Sequence, residues 1–233
     1  MGWNMERSVV VNTTTAIARK PKIQVCIPHW GNVSVEWANA MLVPLQTPLV
    51  EFDKYVMIMR GIVNLDTERN LMVRETLKDT AVTHLLFVDS DMIPENPTNP
   101  NDAIKLLLSC NVPIVSGLYR AKQKDGFNYA MWAKNPTAQR GYAAIGTWTE
   151  KTNWLQVAVV GFGFVLLKRE VFEKIPYPWF AWDKPDGVSE DFFFCEKARS
   201  LGYDINVFTD VTLSHIGQLK VICKDGKTTT LGA

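Results

Sequence analysis

The sequence predicts an α/β fold with a mostly parallel central sheet flanked by helices. Three observations lead to this class. Short apolar runs alternate with amphipathic stretches through the first half of the chain, each connection between runs is long enough for a helix, and the run at residues 84–88 is almost continuously apolar. Strands joined through helices form right-handed βαβ units with parallel pairing. A strand without polar alternation is expected to be buried on both faces.

The elements of the first half are predicted from their periodicity. Strands are short apolar runs, whereas helices place apolar residues three and four positions apart. By these criteria strands are predicted at residues 22–27, 55–59, 84–88 and 112–115, and helices at 33–45, 68–80 and 102–110.

The pattern changes after Gly117, where aromatic and glycine-containing stretches replace the regular alternation. Short strands are predicted at residues 127–132 and 141–148, and a long apolar strand broken by two glycines at 156–168. The remaining predicted elements are a helix at 190–201 before Gly202, a strand at 205–208, and a hairpin at 221–230 that turns at Asp225-Gly226.

The composition is that of an ordinary globular protein, because 47% of residues are hydrophobic and 21% are charged. No linker rich in Pro, Gly or Ser divides the chain. We therefore expect an N-terminal extension at residues 1–21, a single domain at 22–217, and a C-terminal hairpin or tail at 218–233.

Several functional classes are disfavoured by charge and segment length. The 25 basic and 24 acidic residues give a net charge of +1 and no dense basic run, so no nucleic-acid partner is expected. The apolar stretch around residues 157–167 is too short to span a membrane. Residues 1–21 lack the apolar segment of a secretory signal, and the four cysteines form no Cys-x-x-Cys pair. We predict a cytoplasmic protein with reduced thiols.

The strongest chemical signal is the pair of carboxylates that ends the apolar run at residues 84–88. Asp89 and Asp91 are separated by Ser90, and alternate side chains of an extended chain share a face. In open α/β sheets, ligands bind at the carboxyl ends of strands. The two carboxylates are therefore candidates to converge on one cation. The alternative is structural, with one Asp starting a turn and the other capping the next helix.

A second group of candidate residues opens the helix predicted at 68–80. Arg69 lies within the apolar stripe of that helix, and an inward-facing Arg is costly unless an anion meets it. We interpret Arg69 as a ligand-binding residue. Asn70 and Arg74 lie one turn apart on the neighbouring face, and Arg74 is equally consistent with an ordinary ion pair.

Two further candidates lie in the second half of the chain. Ser189 is a natural N-cap for the helix that begins with Glu190 and Asp191. Asp191 is in register with the apolar face of this helix, which suggests a general base rather than a simple dipole partner. His215 follows a strand-like stretch and, together with Asp89 and Asp91, completes a set of ligands acceptable to Mn²⁺ or Mg²⁺.

These motifs, in this order, resemble those of the GT-A glycosyltransferases, particularly the large family-2-like group. The resemblance covers roughly residues 22–217 and rests on motifs that are weak singly but fairly specific together. They are the first strand ending at Pro28, the segment Glu68–Arg74, Asp89-Ser-Asp91, the glycine-containing strand from Val160, Ser189-Glu-Asp191, and His215-Ile-Gly217.

The resemblance implies a metal-dependent transfer of a sugar from a nucleotide-sugar donor, such as a UDP- or GDP-sugar, to an acceptor hydroxyl. It implies that Asp91, His215 and Asp89, the last directly or through the ribose, hold Mn²⁺ or Mg²⁺. It places Pro28, Arg69, Asn70, Asp89 and Ser90 around the nucleotide. Asp191, with Glu190 beside it, corresponds to the catalytic acidic pair of inverting members.

Other functions remain open at the level of sequence. Retaining GT-A enzymes share the Asp-x-Asp motif and the histidine. An Asp-x-Asp phosphatase also has an apolar strand that ends in this motif, although it is usually the first strand of the fold. A nucleotidyltransferase would need a Gly-rich basic loop after Pro28, which is missing. A non-catalytic sugar- or nucleotide-binding module would retain the same pocket without turnover.

Overall fold

The computed structural model describes residues 20–29, 31–61, 64–122, 128–138, 140–146, 153–182, 189–217, 220–222 and 228–230. The turn predicted at Asp225-Gly226, and most of the predicted N-terminal extension, lie outside these residues. The strands are β1 (Lys22–His29), β2 (Asp53–Arg60), β3 (His84–Val88), β4 (Met92–Asn96), β5 (Ile114–Leu118), β6 (Met131–Lys134), β7 (Tyr142–Ala144), β8 (Trp154–Val157), β9 (Val159–Val160), β10 (Phe164–Lys168), β11 (Ile205–Gly217), β12 (Lys220–Ile222) and β13 (Thr228–Thr230).

The helices flank these strands in sequence and in space. They are α1 (Val35–Trp37), continued by a π-helical segment (Ala38–Leu42) into α2 (Val43–Gln46), then α3 (Leu65–Leu77), α4 (Pro100–Ser109), α5 (Arg169–Lys174) and α6 (Glu190–Ser200). α4 begins where the sequence chemistry favours a start. Asn99 caps the helix by accepting from the Asn101 amide, and Pro100 occupies the first turn, where no backbone donor is required.

The main sheet has the strand order β13-β12-β11-β5-β10-β3-β1-β2, and β4 and β8 also pair with β11. Strands β2, β1, β3, β5 and the first part of β11 run in one direction, whereas β10 runs antiparallel between β3 and β5. A smaller sheet has the order β7-β6-β9. The predicted class, a mostly parallel central sheet flanked by helices, is confirmed.

The core lies on both faces of the main sheet, as the apolar run of β3 predicts. Leu85 and Phe87 pack on one face in a cluster that includes the buried residues of α3. Leu86 and Val88 pack on the other face in a cluster that includes the buried residues of α4. All four side chains are fully buried. The end of β3 is therefore fixed from two sides, which holds Asp89 and the residues after it in place.

The strand predicted at residues 156–168 is three strands, β8, β9 and β10. The glycines lie in the bend between β9 and β10, whereas β8 and β9 are separated at Ala158. Both glycines approach the hydroxyl of Tyr119. A Cβ added at Gly161 would lie 2.5 Å from that oxygen, and one at Gly163 would lie 2.9 Å from it. Gly163 N–H also donates to the Tyr119 hydroxyl over 2.8 Å. The glycines thus provide room for a buried tyrosine, which sequence periodicity does not show.

Other boundaries differ from the predicted ones by a few residues. α3 begins three residues before the predicted start, with Asn64 at its N-cap. The predicted strand at 112–115 is shifted to β5, and the predicted strand at 205–208 continues through His215 as β11. β4 and α5 were not predicted. β4 contains Pro94, which lacks a backbone donor and makes the segment read as a loop.

Candidate active site

An open cleft of about 300 Å³ lies at the carboxyl ends of β1 and β3, which are parallel neighbours. The sequence-predicted residues Pro28, Asp89, Ser90 and Asp91 line it together. A turn closed by Met92 N–H on the Asp89 carbonyl, 3.1 Å away, shapes the wall that carries the two carboxylates. The cleft is completed by three residues that the sequence did not single out: His29, Asn32 and Leu65. Ends of adjacent parallel strands meet at one edge of a sheet, which brings these segments together.

Arg69 lies beneath this cleft and is fully buried. One terminal nitrogen, Nη1, donates to Glu190 Oε1 over 2.6 Å, and the other, Nη2, donates to Asp89 Oδ1 over 3.0 Å. The guanidinium also packs against the rings of Phe162 and Phe180, with its carbon 5.4 and 5.9 Å from their centroids. The anions that Arg69 was expected to meet are thus two carboxylates of the chain. Direct contact with a nucleotide stays a prediction.

Arg69 links the Asp-x-Asp segment to the acidic pair at the start of α6. Burial raises the pKa of Glu190 to about 7 and the pKa of Asp89 to about 6, although the guanidinium opposes both shifts. Asp191 adds a further negative charge that acts on Arg69 and on both carboxyls. Arg69 is therefore ion-paired with two carboxyl groups, and the charge of a third, Asp191, also acts on it.

Asp91 lies on the wall of the cleft, and its two carboxylate oxygens differ in their hydrogen-bond partners. Oδ2 forms an ion pair with the ammonium group of Lys122, which the sequence analysis did not single out. Oδ1 is buried and accepts no hydrogen bond from the described part of the chain. A buried carboxylate oxygen without a partner is unusual in proteins and suits a position that binds a ligand.

His215 lies next to Asp91 because β11 pairs with β4. His215 is in register with Met92, and Ile216 N–H donates to the Asp91 carbonyl over 2.7 Å. The imidazole Nδ1 is 2.6 Å from the Arg120 carbonyl, which only accepts, so Nδ1 carries the proton and Nε2 carries a lone pair. Burial lowers the pKa of His215 and keeps the ring neutral, against the opposing charge of Asp91.

The predicted metal ligands are not assembled into one cluster. Among the residues that the structure describes, no group of three or more His, Cys, Asp or Glu side chains is arranged to hold a metal ion. Asp89 is paired with Arg69 and Asp91 with Lys122. Two properties still fit a divalent cation: the unpartnered Asp91 Oδ1 and the neutral His215 with its lone pair on Nε2. Metal binding by Asp89, Asp91 and His215 stays a prediction.

Asp191 is held at the start of α6 by its neighbours. Its Oδ1 accepts from the Ser189 hydroxyl and, over 2.8 Å, from the Phe192 amide. Ser189 occupies the N-cap position, as predicted, but its hydroxyl donates to Asp191 and makes no capping bond to a backbone amide. Burial raises the pKa of Asp191. The structure therefore holds this carboxylate in one orientation beside the buried Glu190.

Asn70 forms hydrogen bonds to the backbone of the chain in this structure. Its amide nitrogen donates to the Phe180 carbonyl over 2.6 Å, and its amide oxygen accepts from the Trp179 and Phe180 amides over 3.0 and 3.1 Å. It therefore fastens α3 to the segment that precedes α6. Arg74, one turn further along, is exposed.

Tyr119 connects several parts of the site and was missed in the sequence. Its hydroxyl accepts from Gly163 N–H, and the Gly163 carbonyl accepts from Asp89 N–H over 3.0 Å. Its ring lies edge-on to His215 with 5.3 Å between centroids. Gly161 and Gly163 were predicted only as breaks in a strand, although a glycine inside a strand can also mark a close approach of another group.

Comparison with known proteins identifies the fold. No family model and no curated protein matches the sequence. Solved structures do match: the crystal structure of A197 from STIV has a TM-score of 0.64 and 19% identity over 91% of this chain and 95% of that one. GalNAc-T7, solved with UDP, GalNAc and Mn²⁺, has a TM-score of 0.58 and 12% identity over 86% of this chain. The chain spans 44% of the length of GalNAc-T7.

The second of these structures is a GT-A glycosyltransferase, and the chain has the GT-A fold that the sequence predicted. The fold disfavours the phosphatase alternative, since the Asp-x-Asp motif of those enzymes usually follows the first strand, whereas Asp89 follows the third, β3. In the described part of the chain, no helix has the length and apolar character needed to cross a membrane.

Proposed function

We propose that the chain is a metal-dependent glycosyltransferase that moves a sugar from a nucleotide-sugar donor to an acceptor hydroxyl with inversion at the anomeric carbon. The observation that carries the proposal is the cleft where β1 and β3 end, lined by Asp89, Ser90 and Asp91, with one Asp91 oxygen unpartnered. The class of ligand is supported by GalNAc-T7, which shares the fold and was solved with UDP, a sugar and Mn²⁺.

The cation would be Mn²⁺ or Mg²⁺, held by Asp91 and His215, with Asp89 contributing directly or through the donor ribose. When bound, it would act as a Lewis acid that stabilises the charge on the departing diphosphate. The grouping of three carboxyl groups around one guanidinium supports this proposal, because a divalent cation would offset the negative charge of those that are ionised.

The nucleotide would lie in the cleft against Pro28 and Ser90 and the additional lining residues His29, Asn32 and Leu65. UDP- and GDP-sugars are the donors that we propose to test. Arg69 and Asn70 would then act as positioning residues. Arg69 orients Asp89 and Glu190 through its two ion pairs, and Asn70 fastens the segment before α6.

Asp191 would act as the general base. Its raised pKa brings the carboxylate closer to the strength needed to accept a proton from a hydroxyl near neutral pH. The bonds from Ser189 and the Phe192 amide to Oδ1 fix the orientation of the group. The acceptor oxygen, losing its proton to Asp191, attacks the anomeric carbon as the bond to the diphosphate breaks. Glu190 supports this arrangement through its bond to Arg69.

A cytoplasmic location accompanies this proposal. Cys26, Cys110 and Cys195 are free thiols, and two of them are buried in the core. Such cysteines are typical of a reducing compartment.

The test is nucleotide binding with and without metal. We expect UDP or GDP to bind in calorimetry with Mn²⁺ and to lose most of its affinity in EDTA. Asp91→Asn should abolish most of this metal dependence without unfolding the chain, because Asp91 lies on the cleft wall. The matched control is Asp102→Asn, an exposed carboxylate on α4 that pairs with Lys105. Equal affinity in Mn²⁺ and EDTA would contradict the metal role.

One observation favours a non-catalytic binding module as the second candidate. Both carboxylates of the Asp-x-Asp motif already have cationic partners in the chain, Arg69 and Lys122. Incubation of nucleotide sugars with Mn²⁺ distinguishes the two candidates, since an enzyme releases nucleoside diphosphate by transfer or slow hydrolysis. Binding without any release would favour the module.

A further inference from the structure

Lys122 forms an ion pair with Asp91, beside the candidate metal site. It follows β5, and the backbone before it is fixed by a 2.9 Å bond from Ala121 N–H to the Asn128 carbonyl. Its side chain is 47% exposed, so the ammonium group lies at the solvent side of the ion pair. No sequence pattern indicates this pair, because Lys122 comes 31 positions after Asp91.

The charge of Lys122 reaches both proposed metal ligands on this side of the site. The ammonium group forms the ion pair with Asp91 Oδ2, and its charge also acts on His215. Lys122 lies two residues after Arg120, whose carbonyl accepts the hydrogen bond from His215. A divalent cation at Asp91 and an ammonium group at the same carboxylate repel each other at such short range. The two cations therefore compete for Asp91.

We propose that Lys122 is a diphosphate-binding residue that pairs with Asp91 while the cleft is empty and turns to the donor diphosphate when the metal ion takes Asp91. This inference rests on the proposed function. The change of partner requires a side chain that is long, charged and free to turn. Lys122 meets this requirement because it is half-exposed at the end of a fixed backbone segment. An ammonium group is a common point-charge partner for phosphate oxygens.

The exchange also explains why Asp91 has one paired and one unpartnered oxygen. In this structure Lys122 neutralises the carboxylate through Oδ2, while Oδ1 has no partner in the described chain. The arriving metal ion would release an ammonium group close to where the diphosphate must lie. The ammonium group of Lys122 thus pairs with Asp91 before the donor binds and with the donor diphosphate afterwards.

The experiment measures two ligands separately with Lys122→Gln. Mn²⁺ alone should bind about two- to fivefold more tightly to this variant than to the wild type, because a half-exposed competing ion pair has been removed. Inorganic pyrophosphate, measured at saturating Mn²⁺ so that Lys122 is released from Asp91, should bind this variant about tenfold more weakly, because a charged hydrogen bond has been lost. Lys122→Arg should keep pyrophosphate binding. The control is Lys105→Gln, which removes an ion-paired lysine of α4 and should change neither affinity.

Opposite changes in the two affinities support the inference, and two results overturn it. If Mn²⁺ affinity in Lys122→Gln is unchanged or weaker, Lys122 does not compete for Asp91. If pyrophosphate affinity is unchanged, Lys122 does not bind the diphosphate. Either result, with Mn²⁺ binding that Asp91→Asn still abolishes, removes the inference and leaves the proposed function in place. A wild type whose Mn²⁺ binding is insensitive to Asp91→Asn removes both.

Discussion

Replacing Arg69 by Met tests whether one buried guanidinium holds the two acidic motifs together. The methionine fills a similar volume between Phe162 and Phe180 but leaves Asp89 and Glu190 without their cation. Removing one partner of a buried ion pair typically costs about 3–5 kcal/mol, because a buried charge is left uncompensated. We expect a loss of that order in the free energy of unfolding at about pH 8.

The loss should shrink at lower pH, and the direction follows from the pKa values. The folded chain holds the proton of Glu190 up to about pH 7 and that of Asp89 up to about pH 6, whereas both are lost near pH 4 in the unfolded chain. Stability therefore falls as pH rises through this window. Because Arg69 lowers both pKa values, its removal extends the window upward. At about pH 5 the carboxyls are protonated, and a loss of about 1–2 kcal/mol is expected.

The assay is urea denaturation of the wild type and the variant at these two pH values. The matched control is Arg74→Met, on the same helix but exposed, which should change stability by no more than about 0.5 kcal/mol at either pH. A loss in Arg69→Met that is the same at both pH values, or no larger than that of the control, would refute the reasoning.

Three further predictions address single residues. Asp191→Asn should lower transfer by about 10² to 10⁴ in turnover with little change in donor affinity, and NMR of the wild-type product should give the inverted anomer; a retained anomer would remove Asp191 as the base. His215→Ala should weaken Mn²⁺ binding in calorimetry with little change in Tm, whereas a large fall in Tm with unchanged affinity would make it structural. Gly161→Ala should destabilise the chain by about 1–3 kcal/mol in denaturation, since its Cβ would lie 2.5 Å from the Tyr119 hydroxyl; Tyr119→Phe should relieve part of this loss.

The features that the sequence predicts best are those that depend on residues close together in the chain, such as the burial of a strand and the place where it ends. The uniform apolar character of β3 required burial on both faces, and its end fixed where Asp89 and Asp91 would lie. The rule that ligands bind at the carboxyl ends of strands predicted a site at these two carboxylates, and the resemblance to GT-A enzymes added Pro28; one cleft contains all three. Such predictions use periodicity and strand direction, which are properties of short segments.

The sequence does not predict partners that come from distant segments. Arg69 meets Glu190 across 121 positions, and no spacing in the sequence indicates that pair. Lys122 meets Asp91 only because β5 and β4 both lie beside β11. The burial of Arg69 was visible in its helical register, but the identity of the compensating anion depended on the tertiary structure. β4 was not predicted because it contains Pro94, which has no backbone N–H. The sheet tolerates this proline because β4 pairs with β11 on one side.

The antiparallel strand β10 has a consequence for synthesis on the ribosome. β10 lies between β3 and β5, so one edge of β3 cannot be paired until residues 164–168 have been made. At the usual rates of translation this leaves the apolar edge of β3 unpaired for on the order of ten seconds. A nascent chain halted before Phe164 should therefore bind chaperones and resist folding, whereas one extended past Lys168 should begin to close the sheet.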